Sequence, residues 1–232
     1  MIKMASIVSI EGNIGSGKST LIEHLKKNYR RKDIVYLEEP VKEWSNIKDK
    51  NGTNILVKFY EDQKKYSFAF QMMAYISRLD LLRRAIKENP DSIIITERSL
   101  YTDKYVFAKM LFDNEKIEDI EYNIYNKWFH SMVDLAPLDK IIYMKTSAKT
   151  SYERILKRSR EGENNIEEDY ILKCNDYHDD MFNTIDKDCK INKLIIDCTD
   201  SIEKNTEILD IWANKMTVQV SVQARDGCQP PH

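Results

Sequence analysis

The chain has 232 residues, of which 42% are hydrophobic and 10% aromatic, enough to bury one good core, so a single α/β domain is the starting expectation. Lys and Arg number 36 against 38 Asp and Glu, and the net charge of −2 carries no long run of one sign, which argues against a surface built to coat nucleic acid. No apolar run reaches bilayer-spanning length, and Glu11 and Gly12 cut the N-terminal apolar segment short of a signal peptide. Cys174, Cys189, Cys198 and Cys228 show no CxxC pairing, so free thiols in a cytoplasmic, reducing setting are expected, with no membrane partner.

In chain order, a β-branched run at 6–10 leads into a helical pattern at 18–29. A second strand at 34–37 is followed by a long helical pattern at 54–88, and a third strand at 93–96 by helices at 100–112 and 118–134. Strand 140–144 precedes helices at 148–160 and 167–187, and strand 194–196 precedes a helix at 201–215. The strands are nearly continuously apolar, as expected of a parallel sheet covered on both faces, and the alternation predicts a three-layer α/β fold of about five parallel strands flanked by helices. Residues 49–52 and 160–165 are predicted loops, and Asn51-Gly52-Thr53 reads as a turn rather than a glycosylation site. Residues 1–216 form the expected single domain. The tail 217–232, with alternating Val218, Val220 and Val222 before Asp226-Gly227 and Pro230-Pro231, is either an edge strand or a disordered end.

The strongest chemical signal is Gly12-Asn13-Ile14-Gly15-Ser16-Gly17-Lys18-Ser19-Thr20, a full match to G-x-x-x-x-G-K-[ST] between a strand and a helix. Glycines let backbone N–H groups turn inward around phosphates. Lys18 places a cation on the β/γ oxygens, Ser19 offers a hydroxyl to Mg²⁺, and the helix N-terminus adds its dipole. A P-loop kinase fold follows. The base-reading Asn-Lys-x-Asp of GTPases is missing, because Asn126-Lys127 runs into Trp128-Phe129, and the chain is short for a motor or helicase. A small-molecule phosphotransferase remains.

Acceptor-side candidates lie at the ends of the next two strands, which in such a fold face the ligand crevice. Glu38-Glu39-Pro40 closes the second strand, and a carboxylate there can take a proton from an acceptor hydroxyl; a solvated acidic turn is the plain alternative. Glu97-Arg98-Ser99 closes the third, where the carboxylate can hold Mg²⁺ and the arginine can neutralise the transferring phosphoryl; a surface ion pair would look the same. Phe68, Phe70, Met72, Met73 and Tyr75 would serve equally as helix core. Gln71 among them is harder to place, because a buried amide needs partners.

The P-loop, Glu39-Pro40-Val41 with Trp44, Leu56 with Tyr60, Ser67-Phe68-x-Phe70-Gln71 to Arg78, Glu97-Arg98-Ser99 with Tyr101 and Asp103, and Arg154-x-x-x-Arg158-x-Arg160 with Glu163 occur in order across residues 6 to about 200. In these elements the sequence resembles the deoxynucleoside kinase family, most closely its deoxycytidine/deoxyguanosine kinase branch. The resemblance implies Glu39 as general base for the 5′-hydroxyl and Arg98 as the group that orients that hydroxyl and stabilises the transferring phosphoryl. It implies Ser19 and Glu97 as Mg²⁺ ligands and Gln71 as a two-point contact to the base. Trp44, Phe70 and Leu56 would wall the nucleoside, Tyr60 and Glu163 would hold the 3′-hydroxyl, and Arg154, Arg158 and Arg160 would form a lid over the donor phosphates. Ala74, Arg78 and Asp103 match the branch that uses deoxycytidine and purine deoxynucleosides rather than thymidine. A homodimer, with a deoxynucleoside and ATP or another nucleoside triphosphate as substrates, is implied as well.

Two departures stand in the lid. Glu161-Gly162-Glu163 separates the acidic pair usual in the family, and Asn164-Asn165-Ile166-Glu167 lacks the Gly and Pro expected after it. The rivals are a nucleoside monophosphate kinase of thymidylate kinase type, which needs extra cations for an acceptor phosphate, and a catalytically idle assembly subunit. The latter should have lost a key residue, yet Lys18, Glu39, Glu97 and Arg98 are all present.

Overall fold

A computed structural model describes residues 5–158, 160, 163, 166–185, 191–199 and 210. The tail 217–232 and all of the expected helix at 201–215 except Asp210 lie outside the described residues.

Five strands, β1 (Ser6–Glu11), β2 (Ile34–Leu37), β3 (Ile93–Glu97), β4 (Lys140–Lys145) and β5 (Asn192–Asp197), form one sheet in the order β2-β3-β1-β4-β5. All four pairings are parallel. The period of two sorts each strand between two helical layers. Ile7, Ile94, Ile141 and Tyr143 face α4 (Gln63–Glu88), α7 (Asp119–Met132) and α9 (Glu168–Thr184). Val8, Ile10, Ile95, Ile142 and Met144 face α1 (Lys18–Asn28) through Leu21, Ile22 and Leu25. Both faces are therefore dry, which is why the strands read as unbroken apolar runs.

Three expectations change at element level. The helical run 54–88 is two helices, α3 (Ile55–Glu61) and α4, because Asp62 leaves helical geometry (φ −146°) and caps the second by accepting from the Lys65 amide. A short helix α2 (Val41–Asn46) follows Pro40, whose fixed φ suits a helix start. The run 100–112 starts as α5 (Leu100–Thr102) and ends as α6 (Lys109–Asp113), with a π-helical turn, Asp103–Ala108, between them. Helix α8 (Ala148–Arg158) follows β4 and precedes α9.

Candidate active site

The carboxyl ends of β1 and β3, with the residues just beyond β2, open into a cavity of about 590 Å³. Its position at the crevice where the strand order reverses is where α/β sheets bind ligands. The P-loop forms its floor. Gly17 adopts a left-handed conformation (φ 98°) to turn the chain into α1, and α1 has no acidic side chain in its first turn. Gly15 (φ 80°) passes so close to the Ser151 carbonyl of α8 that no side chain fits. Lys18 crosses the loop and donates to the Gly12 carbonyl at 3.1 Å and the Asn13 carbonyl at 2.8 Å. Burial, aided by the Arg98 charge and opposed by Glu97 and Glu39, pulls its ammonium down to about 7. The side chain of Asn13 points away from the phosphate position, donating to the Ile171 carbonyl at 2.8 Å and accepting from the Ile14 amide at 2.8 Å, so it braces the loop against α9. Ile14, Gly15, Gly17, Lys18, Ser19 and Thr20 line the cavity, while Gly12 and Ser16 support it from behind.

Ser19 Oγ donates to the Glu97 carboxylate, 3.0 and 3.1 Å from its two oxygens, so strand β3 and helix α1 bring two hard oxygen ligands together. That pairing fits Mg²⁺, which is usually held by one or two protein oxygens plus substrate phosphates.

On the acceptor side, Glu39 lies 3.0 Å from Arg78 Nη2 and 3.2 Å from Arg98 Nε. Burial opposes its ionisation, but Arg98 and Arg78, with Lys18 behind them, outweigh it and hold the carboxyl at about 2. Glu38 points the other way and pairs with Lys26 at the surface, so only one of the two glutamates enters the site. Arg78 is the hub of the buried charges. It donates bidentately to Asp103 at 2.8 and 3.3 Å and caps the Glu97 carbonyl at 2.7 Å. Burial raises the Asp103 carboxyl although Arg78 pulls against it, and the surrounding carboxylates hold the Arg78 guanidinium firmly charged against its own burial. Lys18, Arg78 and Arg98 thus face Glu39, Glu97 and Asp103, which offset one another.

The apolar half of the cavity is built from α2, α3 and α4. Phe59 and Phe70 stack with centroids 4.6 Å apart, Trp44 meets Phe70 edge-on at 5.6 Å, and the Trp44 indole N–H donates to Ser77 Oγ at 2.8 Å. Leu56, Tyr60, Gln71 and Ala74 complete the wall. Gln71 is 2% exposed, and among the described residues its amide makes no hydrogen bond, an arrangement that asks for a ligand.

The profile of the deoxynucleoside kinase family matches residues 8–218. A probable deoxycytidine kinase of Fowlpox virus (strain NVSL) is 39% identical over 175 residues, covering 74% of this chain and 69% of that one. Deoxycytidine kinase of Homo sapiens is 34% identical over 192 residues (74% and 73% covered), and mitochondrial deoxyguanosine kinase of Xenopus laevis is 29% identical over 190 residues (74% and 71% covered). The chain belongs to the deoxynucleoside kinase family.

In this deoxynucleoside kinase the residues expected to form a lid line the cavity together. Arg158 donates to both Glu163 oxygens at 2.7 Å and Arg160 reaches the same carboxylate at 3.4 Å, while Arg154 donates to the Cys198 carbonyl at 3.2 Å and to P-loop carbonyls at 3.4 and 3.5 Å. Glu163 is 5% exposed and lines the cavity with Tyr60; Glu161 lies outside the described residues. Sequence reasoning missed Phe107, whose ring lies 4.8 Å under the Arg98 guanidinium and lines the cavity. The available signal was its spacing of four from Asp103, which puts both on one helix face. Phe59 and Tyr170 also line the cavity without having been singled out.

Proposed function

We propose that this kinase phosphorylates the 5′-hydroxyl of deoxycytidine and purine deoxynucleosides in preference to thymidine. The observation that carries this reading is the buried Arg78–Asp103 pair, which closes the base end of the cavity beside Gln71 and Ala74. A polar wall there leaves little room for a thymine methyl group. The free amide of Gln71 offers a donor and an acceptor to a base edge, and Phe70, Trp44 and Phe107 supply flat or edge-on apolar contacts.

In this reading Glu39 accepts the hydroxyl proton. A carboxylate held so acidic is a weak base, so its effect comes from placement, and Arg98 beside it is the charge that meets the transferring phosphoryl. Ser19 and Glu97 would hold Mg²⁺, which neutralises charge on the donor phosphate oxygens when bound. Lys18, Arg154, Arg158 and Arg160 would surround those phosphates, and Tyr60 with Glu163 would take the 3′-hydroxyl.

A homodimer through the outer faces of α4 and α7 belongs to the same proposal. Ile120, Ile124 and Trp128 recur every four residues on α7 and are 72%, 43% and 44% exposed, and Ile76 on α4 is 49% exposed. An apolar stripe of this kind favours burial against a second copy. Among the described residues no helix is long and apolar enough to cross a membrane. Cys174 is a free, buried thiol, which supports a reducing, cytoplasmic location.

The test is a phosphorylation assay over the four natural deoxynucleosides with ATP and with UTP. The expected result is a kcat/KM for deoxycytidine or a purine deoxynucleoside at least about tenfold above that for thymidine. Equal use of thymidine would overturn the preference.

A further inference from the structure

Behind Arg98, on the side away from the cavity, sits a histidine that the reading above leaves unused. His178 is fully buried on α9. Its ring lies parallel to Tyr143, with 4° between planes and centroids 6.3 Å apart, and Phe107 meets it edge-on at 6.0 Å. Nδ1 is 2.6 Å from the Cys174 carbonyl, and Nε2 is 3.2 Å from Arg98 Nη1.

The partners dictate the proton. A carbonyl oxygen only accepts, so Nδ1 carries the hydrogen; a guanidinium nitrogen only donates, so Nε2 must present its lone pair. The neighbouring Gly12 carbonyl does not ask Nε2 for a proton, because it already accepts from Lys18 Nζ at 3.1 Å and Arg98 Nη1 at 2.8 Å. Burial and then the Arg98 charge push the imidazole well below its ordinary range, in keeping with a neutral ring.

Arg98 needs such a partner. Its backbone sits in the left-handed region (φ 63°), which is uncommon for a residue with a side chain and is tolerated where surrounding contacts impose it. Nε faces Glu39, and the two hydrogens of Nη1 go to the Gly12 carbonyl and to His178. Arg98 lines the cavity, and among the described residues both of its hydrogen bonds are made by Nη1, which leaves the Nη2 side of the guanidinium for a ligand.

We propose that His178 is a positioning residue for phosphoryl transfer: its neutral Nε2 accepts from Arg98 Nη1 and thereby fixes which end of the guanidinium faces the reacting groups. This rests on the proposed role of Arg98. His178 touches neither substrate; it acts by removing the rotational freedom of a charge whose value to the reaction depends on its placement.

Asparagine and glutamine separate this from mere packing. The Asn amide can reproduce the Nδ1 bond to Cys174 but falls short of Arg98, whereas the Gln carbonyl can reach the Nε2 position. His178→Asn, His178→Gln, Arg98→Ala and the double variant His178→Asn/Arg98→Ala are assayed with deoxycytidine and ATP. Each kcat is normalised to the binding-competent fraction from nucleoside titration, and each melting temperature is recorded. We expect His178→Asn to lower kcat at least about tenfold with deoxycytidine KM changed less than about twofold, and His178→Gln to recover most of that loss. In the Arg98→Ala background His178→Asn should cost nothing further, as for two groups acting as one unit. The inference falls if Asn retains normal kcat, if Asn and Gln are equally impaired in step with their melting temperatures, or if the Asn penalty persists without Arg98. If Arg98→Ala itself keeps normal kcat, the role of Arg98 fails first and the positioning role falls with it.

Discussion

Glu39 and Lys18 show how burial and neighbouring charge retune side chains whose identity alone says less. Glu39→Gln keeps the shape of the site but removes the proton acceptor. It should leave nucleoside affinity largely intact while kcat drops by about 10²–10⁴-fold, measured by steady-state kinetics beside nucleoside titration. A variant with near-normal kcat would show that Glu39 is not the base. Glu38 offers no substitute, since its side chain pairs with Lys26 outside the cavity. Because the folded-state carboxyl of Glu39 lies near 2, below its ordinary value of 4.5, its share of stability is complete above pH 4.5 and fades as pH falls towards 2. The Lys18 ammonium is also lowered, to about 7, but for a cation that shift disfavours the charged form, so the empty P-loop holds this proton weakly around neutral pH. A triphosphate favours the charged form, so donor binding above pH 7 must recruit a proton. Calorimetry at pH 8 in buffers of differing ionisation enthalpy should register uptake of most of one proton, and donor affinity should weaken by up to about tenfold per pH unit above neutrality. Lys18→Met should abolish the uptake while nucleoside binding survives; unchanged uptake in that variant would assign the proton elsewhere.

At the scale of elements, the helix after β3 carries the specificity hypothesis. Its π-helical turn, Asp103–Ala108, is the kind of irregularity that recurs at functional sites, and it presents Asp103 and Phe107 to one cavity. Arg78 comes from α4, seven residues after Gln71 and about two turns along the same face. Removing either charge alone leaves the other buried without its partner, at about 3–5 kcal/mol of stability. The double variant Arg78→Met/Asp103→Ala removes both. It should raise the ratio of thymidine to deoxycytidine kcat/KM, and the ratio is the proper readout because Arg78 also holds Glu39, so both absolute rates should fall. An unchanged ratio in a folded double variant returns the pair to a structural role. The break between α3 and α4 was harder to see in advance. Asp62 interrupts an apolar pattern that continues in phase on both sides, and an aspartate within a run of that length fits an exposed helical position as well as a cap.

For the whole molecule, the outer faces of α4 and α7 make a prediction about assembly. If the exposed stripe is a dimer face, Ile124→Glu with Trp128→Glu should shift sedimentation from twice the chain mass to a species of 27.4 kDa, with the melting temperature of the isolated domain little changed. A wild-type chain that sediments at 27.4 kDa at all concentrations would remove the proposal.

Much of this protein was legible from local pattern. The parallel sheet followed from five short apolar runs alternating with helical ones, since strands covered on both faces cannot carry polar residues at alternate positions. The P-loop was legible because a phosphate cradle demands glycines, a lysine and a hydroxyl at fixed intervals within one turn of chain. What the amino-acid order did not contain was distance between segments far apart in the chain. The resemblance already pointed to Glu39 and to an Arg78–Asp103 pair; only the tertiary structure decided that Glu38 turns away to Lys26, that Arg78 also reaches Glu39 and the end of β3, and that Asn13 braces α9. Phe107 and His178 join Arg98 for the same reason. A histidine on an amphipathic helix and a phenylalanine beside tyrosines look like core until the packing of α9 against the end of β3 puts them around one guanidinium. Motifs record the chemistry that a short stretch must perform by itself, whereas positioning depends on which stretches the sheet order brings together.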